Sequence, residues 1–189
     1  NDFAFWYSFP AIKDNKIFYG TTGIREGWWE YQFIALNRIN GAPIWQQNAA
    51  AVLGKDTLTN ENQLLTDSIQ LLDYLAPAVW RDYVIFTAGD SLVRAFHAQS
   101  GEPLWEAFFD LPVSSPPTVA GGRVYFGLRG NREEGGTRPP SLICIKASSG
   151  KKLWEIPLEG AVLSAPVISG DYIVFGTDRN YFYVLEELF

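Results

Sequence analysis

The chain has 189 residues, of which 47% are hydrophobic and 15% aromatic, so it carries enough apolar material to bury a globular core. Its formal net charge of −6 argues against general nucleic-acid binding, which needs a basic surface to neutralise phosphates. No apolar run approaches the roughly 20 residues of a membrane-spanning helix. The single cysteine excludes an internal disulfide and a cysteine-rich metal site.

In the first eight residues Phe3, Phe5 and Tyr7 alternate with Ala4, Trp6 and Ser8, which is typical of a strand. Two interpretations are open. The segment supplies the missing outer strand of the last repeat, or the chain begins just after an outer strand that lies before residue 1. We expect the second, because the spacing between units would place the preceding tryptophan before the first residue.

One pattern then occurs four times. Each unit begins at a proline before a short apolar run, and ten residues later stands a glycine or threonine: Pro10 and Gly20, Pro77 and Thr87, Pro117 and Gly127, Pro166 and Gly176. The second half of a unit has a small residue six positions before a glycine and ten before a tryptophan: Ala35, Gly41 and Trp45; Ala95, Gly101 and Trp105; Cys144, Gly150 and Trp154. Val184 begins the second half of the fourth unit, which stays incomplete. A fixed period of this kind predicts a repeat architecture.

Each unit reads as four short strands rich in Val, Ile, Phe and Tyr, separated by turn residues. The turns contain pairs that accept positive φ: Asp14-Asn15, Arg81-Asp82, Gly121-Gly122, Gly170-Asp171, Asn40-Gly41, Ser100-Gly101 and Ser149-Gly150. The pattern predicts an all-β fold of antiparallel meanders with strands A, B, C and D. The blades are expected at residues 9–48, 76–110, 115–156 and 164–189 of one β-propeller domain.

Residues 49–75 form an insertion between the first two units. Asn60 and Gln63 resemble a helix N-cap pair, and leucines recur at helical spacing up to Leu75, which predicts a short amphipathic helix. Its apolar face is expected to pack on the propeller, the alternative being a dedicated partner-binding helix.

The segments 33–45, 93–105 and 142–154 resemble the pyrroloquinoline-quinone-like (quinoprotein-type) repeat, whose core is Ala-x-Asp-x-x-x-Gly-x-x-x-Trp. The aspartate of that core is replaced by Asn37, His97 and Lys146, so these copies are diverged. The resemblance implies a propeller of seven or eight blades. We therefore expect the four units to belong to a larger ring, completed by a longer chain or by a second copy. It also implies that Trp45, Trp105 and Trp154 dock neighbouring blades.

The same resemblance bears on chemistry. Quinone-dependent dehydrogenases of this type use adjacent cysteines and a calcium ion, whereas Cys144 stands alone in a strand. Repeats of this type also occur in noncatalytic propellers that resemble the outer-membrane-assembly lipoprotein scaffold or kinase-linked sensor domains. We expect no cofactor, with the quinone and calcium as the alternative. His97, the only histidine, is expected to be a surface turn residue.

Length variation falls only in the B–C loops and D–A connections, which lie at one edge of every blade and are called the B–C/D–A face below. The candidate partner-binding residues on this face are Arg25, Trp28, Trp29, Arg129, Arg132 and Arg138. The tryptophans could form a recognition surface or plug a blade interface, and the arginines could bind an acidic peptide or pair with Glu133 and Glu134.

The sequence therefore predicts a noncatalytic binding or scaffolding propeller with a protein or peptide partner. Its compartment is expected to be extracytoplasmic, periplasmic or secreted. The alternative is a fragment of a quinoprotein oxidoreductase.

Overall fold

The structure, a computed structural model, describes residues 9–25, 28–52, 76–131 and 136–187. Within these ranges the chain forms β-strands and no α-helix. Nothing in the described ranges has the length and apolar character of a membrane-crossing helix. The predicted helix falls on residues outside these ranges, as do residues 1–8.

The strands form four separate antiparallel sheets, each in chain order. Blade 1 contains β1 (Ala11–Lys13), β2 (Lys16–Arg25), β3 (Trp28–Asn37) and β4 (Pro43–Ala50). Blade 2 contains β5 (Pro77–Trp80), β6 (Tyr83–Thr87), β7 (Leu92–His97) and β8 (Pro103–Phe108). Blade 3 contains β9 (Thr118–Ala120), β10 (Arg123–Leu128), β11 (Ser141–Lys146) and β12 (Lys152–Pro157). Blade 4 contains β13 (Val167–Ser169), β14 (Tyr172–Gly176) and β15 (Phe182–Glu186).

This order confirms the predicted all-β propeller architecture of A-B-C-D meanders, with three strands described in the last sheet. The A–B turns contain the positive φ values that the turn pairs predict, 53° at Asp14 and 50° at Arg81. The innermost strands of successive blades contact one another, β1 with β5, β5 with β9 and β9 with β13. The sheets are therefore arranged around a common axis, as in a propeller.

A β-bulge recurs at the same place in the three complete blades. The register between strands C and D shifts directly after Ala35, Ala95 and Cys144, so that one D-strand residue before each tryptophan has no partner. The unpaired residues are Ile44, Leu104 and Leu153, and all three are exposed. A bulge turns the following side chain to a new direction. Here it precedes the tryptophan that reaches the next blade.

The tryptophans of blades 1 and 2 contact the C–D turn of the following blade. Trp45 Nε1 donates to the Ala98 carbonyl at 3.1 Å, and Trp105 Nε1 donates to the Ala147 carbonyl at 3.0 Å. Each indole ring also lies over the turn glycine of that blade, where an added Cβ would come within 2.6 Å of the ring, at Gly101 and at Gly150. The contact therefore requires a glycine both for its positive φ and for its missing side chain.

Three apolar cores fill the spaces between successive blades. Phe18, Phe33 and Phe86 lie between blades 1 and 2, where the rings of Phe33 and Phe86 are 4.7 Å apart. Val93, Phe126 and Ile143 belong to the core between blades 2 and 3. Tyr125, Leu142 and Phe175 belong to the core between blades 3 and 4. The sheets of blades 2 and 3 thus bury apolar residues on both faces, which is why their inner strands read as nearly continuous apolar runs, whereas Phe182 and Val184 of blade 4 are 73% and 57% exposed.

Candidate functional site

In blade 1 the described residues on both sides of the B–C connection are paired strands at the B–C/D–A face. Strands β2 and β3 stay paired through Ile24 with Trp29 and Arg25 with Trp28, five pairs beyond the pair of Gly20 with Phe33. In blade 2 the corresponding ladder ends at the pair of Thr87 with Val93. The stretch that the sequence predicted as a loop is therefore a projecting β-hairpin. It holds three of the candidate residues near its tip.

The other described candidates lie where blade 3 meets the connection from blade 2. The Arg129 backbone N–H donates to the Pro112 carbonyl at 2.8 Å. The Arg138 backbone N–H donates to Asn131 Oδ1 at 2.9 Å, and its Nη1 lies 3.3 Å from Asp110 Oδ2. Asp110 belongs to the D–A connection, so this ion pair joins two of the variable segments.

Arg132, Glu133 and Glu134 fall outside the described residues, as does the proposed pairing between them. The structure thus separates the candidates into two groups, the blade 1 hairpin and the boundary of blades 2 and 3.

A buried ion pair that sequence reasoning missed lies at the boundary of blades 1 and 2. Arg94 on β7 binds the Asp90 carboxylate with both terminal nitrogens, at 2.7 and 3.2 Å, and the two side chains are 2% and 0% exposed. The same carboxylate accepts the backbone N–H groups of Val52 at 3.0 Å and Leu92 at 3.2 Å. Arg94 also donates to the Ala50 carbonyl at 3.3 Å.

This pair fixes the B–C/D–A face in two ways. It ties the end of the D strand of blade 1 to the B–C loop of blade 2, where Ser91 N–H also donates to the Val52 carbonyl at 2.8 Å. The guanidinium lies over the rings of Tyr31 and Phe33, 5.6 and 5.7 Å from their centroids. Tyr31 lies in the extended part of β3, so the hairpin is packed against a charged group that is itself held in place.

A second polar cluster lies at the opposite, A–B/C–D edge of blades 3 and 4. The Glu187 carboxylate accepts Trp154 Nε1 at 2.8 Å, pairs with Arg123 Nη1 at 2.6 Å and accepts the Tyr125 hydroxyl. Glu187 stands three residues after the strand C anchor Val184, the position that Ala98 and Ala147 occupy in blades 2 and 3. A carboxylate therefore takes the place of the backbone carbonyl that receives the other two tryptophans.

This cluster changes the acidity of its neighbours. Burial, with the Glu187 hydrogen bond second, raises the pKa of Tyr125 well above its usual range. Burial, reinforced by the charge of Glu187, raises the pKa of the Cys144 thiol to about 12. Cys144 is fully buried. A thiol of this acidity carries almost no thiolate at neutral pH, so it is unsuited to nucleophilic or redox chemistry.

A groove of about 300 Å³ runs along the outer rim between β8 and blade 3. One wall is the strand itself and its continuation, from Glu106 to Asp110. The other wall includes the C–D turn of blade 3 and the side chains of Lys151, Lys152 and Glu155. Charges of both signs line this groove, and the ion pair of Arg138 with Asp110 lies along its wall.

Two further features of the described residues concern metal binding and the histidine. No group of three or more His, Cys, Asp or Glu side chains there is placed to hold a metal ion. His97 ends β7 and contacts Ser100, whose hydroxyl is 3.1 Å from His97 Nδ1. The imidazole therefore takes part in the C–D turn.

Fold and repeat together define a β-propeller of the quinoprotein type, as the sequence pattern predicts. The chain belongs to the family described as outer membrane protein assembly factor BamB, whose profile matches residues 30–134 and 89–188. A curated outer membrane protein assembly factor BamB from Kangiella koreensis is 36% identical over 55 residues, which is 29% of this chain and 14% of that protein. The matched stretch is therefore a small part of the length of that relative.

Solved structures agree on the fold. BamB from Moraxella catarrhalis superposes with a TM-score of 0.55 at 11% identity, covering 97% of this chain and 67% of that one. Quinohemoprotein alcohol dehydrogenase from Comamonas testosteroni superposes with a TM-score of 0.64 at 15% identity, covering 98% of this chain and 35% of that one. At these identities the likeness establishes the propeller fold and carries no activity with it.

Signals for the missed residues are present in the sequence. Arg94 is a single charge within the apolar strand Leu92–His97, with Asp90 four residues before it. A charge in such a strand predicts a buried partner. Glu187 becomes visible once the fourth unit is aligned on Val184. The groove has no such signal, because it depends on the distance between two blades.

Proposed function

We propose that this chain is a noncatalytic propeller outside the cytoplasm that binds a protein partner in outer membrane protein assembly. The binding surface in this proposal is the B–C/D–A face. Membership of a family described as an outer membrane protein assembly factor supports the role and the compartment. We choose this face because the hairpin of β2 and β3 projects from it.

The hairpin suits recognition for a physical reason. Its backbone is paired as far as Arg25 and Trp28, so binding a partner costs little additional ordering of the chain. Tryptophan and arginine are the residue types that most often dominate binding energy at protein interfaces. Its base is held by Tyr31, which is fully buried beneath the Arg94 guanidinium. The tip residues are thus carried by a rigid support.

Arg129 and Arg138 provide a second, cationic part of the same face. Arg138 is partly exposed and already pairs with Asp110 at 3.3 Å, so an incoming carboxylate would have to compete with that pair. An acidic segment of the partner is the chemistry that such a pair of guanidinium groups fits best.

The proposal is tested by capture from a bacterial cell-envelope extract, followed by affinity measurement with the purified protein that is captured. We expect outer membrane assembly proteins to be retained. Trp28→Ala, Trp29→Ala and Arg132→Ala should each weaken that affinity, by tenfold or more for at least one tryptophan. Ile39→Ala is the control, because Ile39 is 80% exposed in the C–D turn of blade 1, at the opposite edge.

Thermal unfolding of the same variants separates binding from folding. Unchanged unfolding with weakened capture supports a binding role for the hairpin tip. Equal capture with lowered stability would mean that these residues belong to a blade interface, and the proposed face would be wrong. Failure to retain any assembly protein would contradict the assembly role.

The alternative is a quinone-dependent oxidoreductase. It predicts that added pyrroloquinoline quinone and calcium give a bound quinone absorbance and dye-linked oxidation of an alcohol or sugar. The proposal predicts neither signal. Either signal, at a stoichiometry near one quinone per chain, would favour the enzyme over the binding module.

A further inference from the structure

The outer strand of blade 2 differs from the outer strands of blades 1 and 3. Three residues after the docking tryptophan, β4 has Asn48, β12 has Pro157 and β8 has Phe108. Phe108 is 53% exposed. Outer strands are edges that can pair with another chain, and proteins commonly protect them with proline, charges or polar side chains.

The hydrogen-bond pattern identifies which groups of β8 point outward. Phe109 N–H donates to the Ser91 carbonyl on the side of β7, and bonding residues alternate along an antiparallel strand. The backbone groups of Glu106 and Phe108 therefore point away from β7, toward the outer rim. No described residue accepts the N–H of Phe108, which can therefore pair with an added strand.

The equivalent positions in the other two strands are protected. Leu158 N–H donates to the Pro140 carbonyl, so by the same alternation Pro157 faces outward, where it has no N–H to offer. On β4 the outward positions 46 and 48 are polar, and Gln46 Nε2 donates to Asn48 Oδ1 at 2.9 Å. Of the three, β8 alone combines an outward N–H with an exposed aromatic side chain at this position.

The groove beside β8 gives an added strand something to contact. Side chains of such a strand alternate between two faces. One set would lie beside Phe108, which favours apolar residues. The other set would face the wall formed by blade 3, where Lys152 pairs with Glu155 at 2.8 Å while the described residues offer Lys151 no ion pair. Acidic residues complement that lysine.

We propose that the outer edge of β8 binds an extended peptide segment of a partner protein by strand addition, and that this segment alternates apolar with acidic residues. Main-chain hydrogen bonds to Glu106 and Phe108 supply the attachment, and Phe108 and Lys151 supply the selectivity. This surface lies on the outer rim and is separate from the blade 1 hairpin, so it can be present whether or not that hairpin binds.

The probe is a fluorescein-labelled seven-residue peptide that alternates valine and glutamate, with its ends capped, titrated with the complete chain by fluorescence anisotropy. We expect saturable one-to-one binding with a dissociation constant on the order of 10–100 μM. A peptide with N-methyl groups on one backbone edge should bind at least tenfold more weakly through that edge, because strand addition depends on its N–H groups.

Two substitutions copy protections that the chain already uses. Phe108→Pro copies Pro157 and should weaken binding at least tenfold. Phe108→Asn copies Asn48, keeps the backbone N–H and should weaken binding by a smaller factor. This variant tests the role of Phe108 if the proline variant does not fold. Pro157→Phe should create a second binding site on β12. Lys151→Ala should weaken the glutamate peptide about threefold or more and leave a valine–glutamine peptide unchanged.

The proposal is overturned if the wild-type chain shows no saturable binding of the peptide up to about 1 mM. It is also overturned if both variants at position 108 bind as wild type does, or if N-methylation has no effect. Binding through the hairpin instead would be recognised by its loss in Trp28→Ala with Phe108 intact.

Discussion

Adding one methyl group at the turn glycines tests the contact between neighbouring blades. Gly41, Gly101 and Gly150 are equivalent residues of the repeat, with φ values of 69°, 74° and 68°. A Cβ at Gly41 would meet nothing within 4 Å, whereas at Gly101 and Gly150 it would lie 2.6 Å from the rings of Trp45 and Trp105. Alanine at the three positions thus imposes the same backbone strain but differs in the clash.

The change in free energy of unfolding that comes from the backbone conformation is the same in all three variants. Alanine at positive φ costs about 1–2 kcal/mol. Loss of unfolded-state entropy returns about 0.4–1 kcal/mol. We therefore expect Gly41→Ala to lower the free energy of unfolding by about 0–1.5 kcal/mol. Gly101→Ala and Gly150→Ala should lose about 1–3 kcal/mol more, because the tryptophan must shift in a packed interface.

Urea unfolding followed by circular dichroism measures these differences, with tryptophan fluorescence as a second probe of the same transition. For a chain of this size each kcal/mol corresponds to about 2–4 °C in Tm. Equal destabilisation of Gly41→Ala and Gly150→Ala would refute a role for the clash with tryptophan, since the backbone strain alone would then account for the loss. Phenylalanine at position 105 keeps an aromatic ring but lacks the indole N–H. In a Trp105→Phe background the difference in free energy of unfolding between Gly41→Ala and Gly150→Ala should therefore be smaller.

The further predictions concern three polar groups that are buried or partly buried. Arg94→Met should destabilise the chain by about 3–5 kcal/mol, because it leaves the Asp90 carboxylate buried without its cation, and adding Asp90→Asn should recover part of the loss in a double-mutant cycle. The Cys144 thiol should react with a disulfide reagent at pH 8 only as fast as the chain unfolds, and immediate reaction of the native chain would contradict its burial. The pKa of this thiol is higher in the folded chain than its unfolded value near 9. The stability that it contributes is therefore present below pH 9 and is lost as the pH rises toward about 12. The free energy of unfolding, measured from pH 8 to 11, should fall accordingly. Glu187→Gln should lower stability by about 1.5–3 kcal/mol through weakened bonds to Arg123, and equal stability would mean that the carboxylate is not needed.

The sequence was sufficient for the repeat and for its four-stranded units because these depend on local rules. Strand residues alternate with turn residues at fixed intervals, and each turn needs a residue that tolerates positive φ, as at Asp14 and Gly101. The spacing of Trp45, Trp105 and Trp154 also indicated one repeated structural position. The sequence missed the recurrent bulge at Ile44, because a shift in register is a property of two strands together.

Only the tertiary structure shows how far the pairing of β2 with β3 extends in the blade 1 hairpin. Residues 21–25 and 28–32 contain glycine, glutamate and adjacent tryptophans, which read equally well as a loop. Packing against blade 2, with Tyr31 beneath Arg94, favours continued pairing.

The same distinction separates the two kinds of candidate residue. Local order placed Arg129 and Arg138 on the B–C/D–A face, because strand direction alternates in a meander. Only the packing of blades brought Arg138 to Asp110 and opened a groove beside Phe108. Contacts between residues of different blades depend on how far the sheets splay, and a single sequence carries no direct measure of that angle. The repeated four-strand units were therefore determined by the sequence alone, and the extension of the blade 1 hairpin and the surfaces between blades by the tertiary structure.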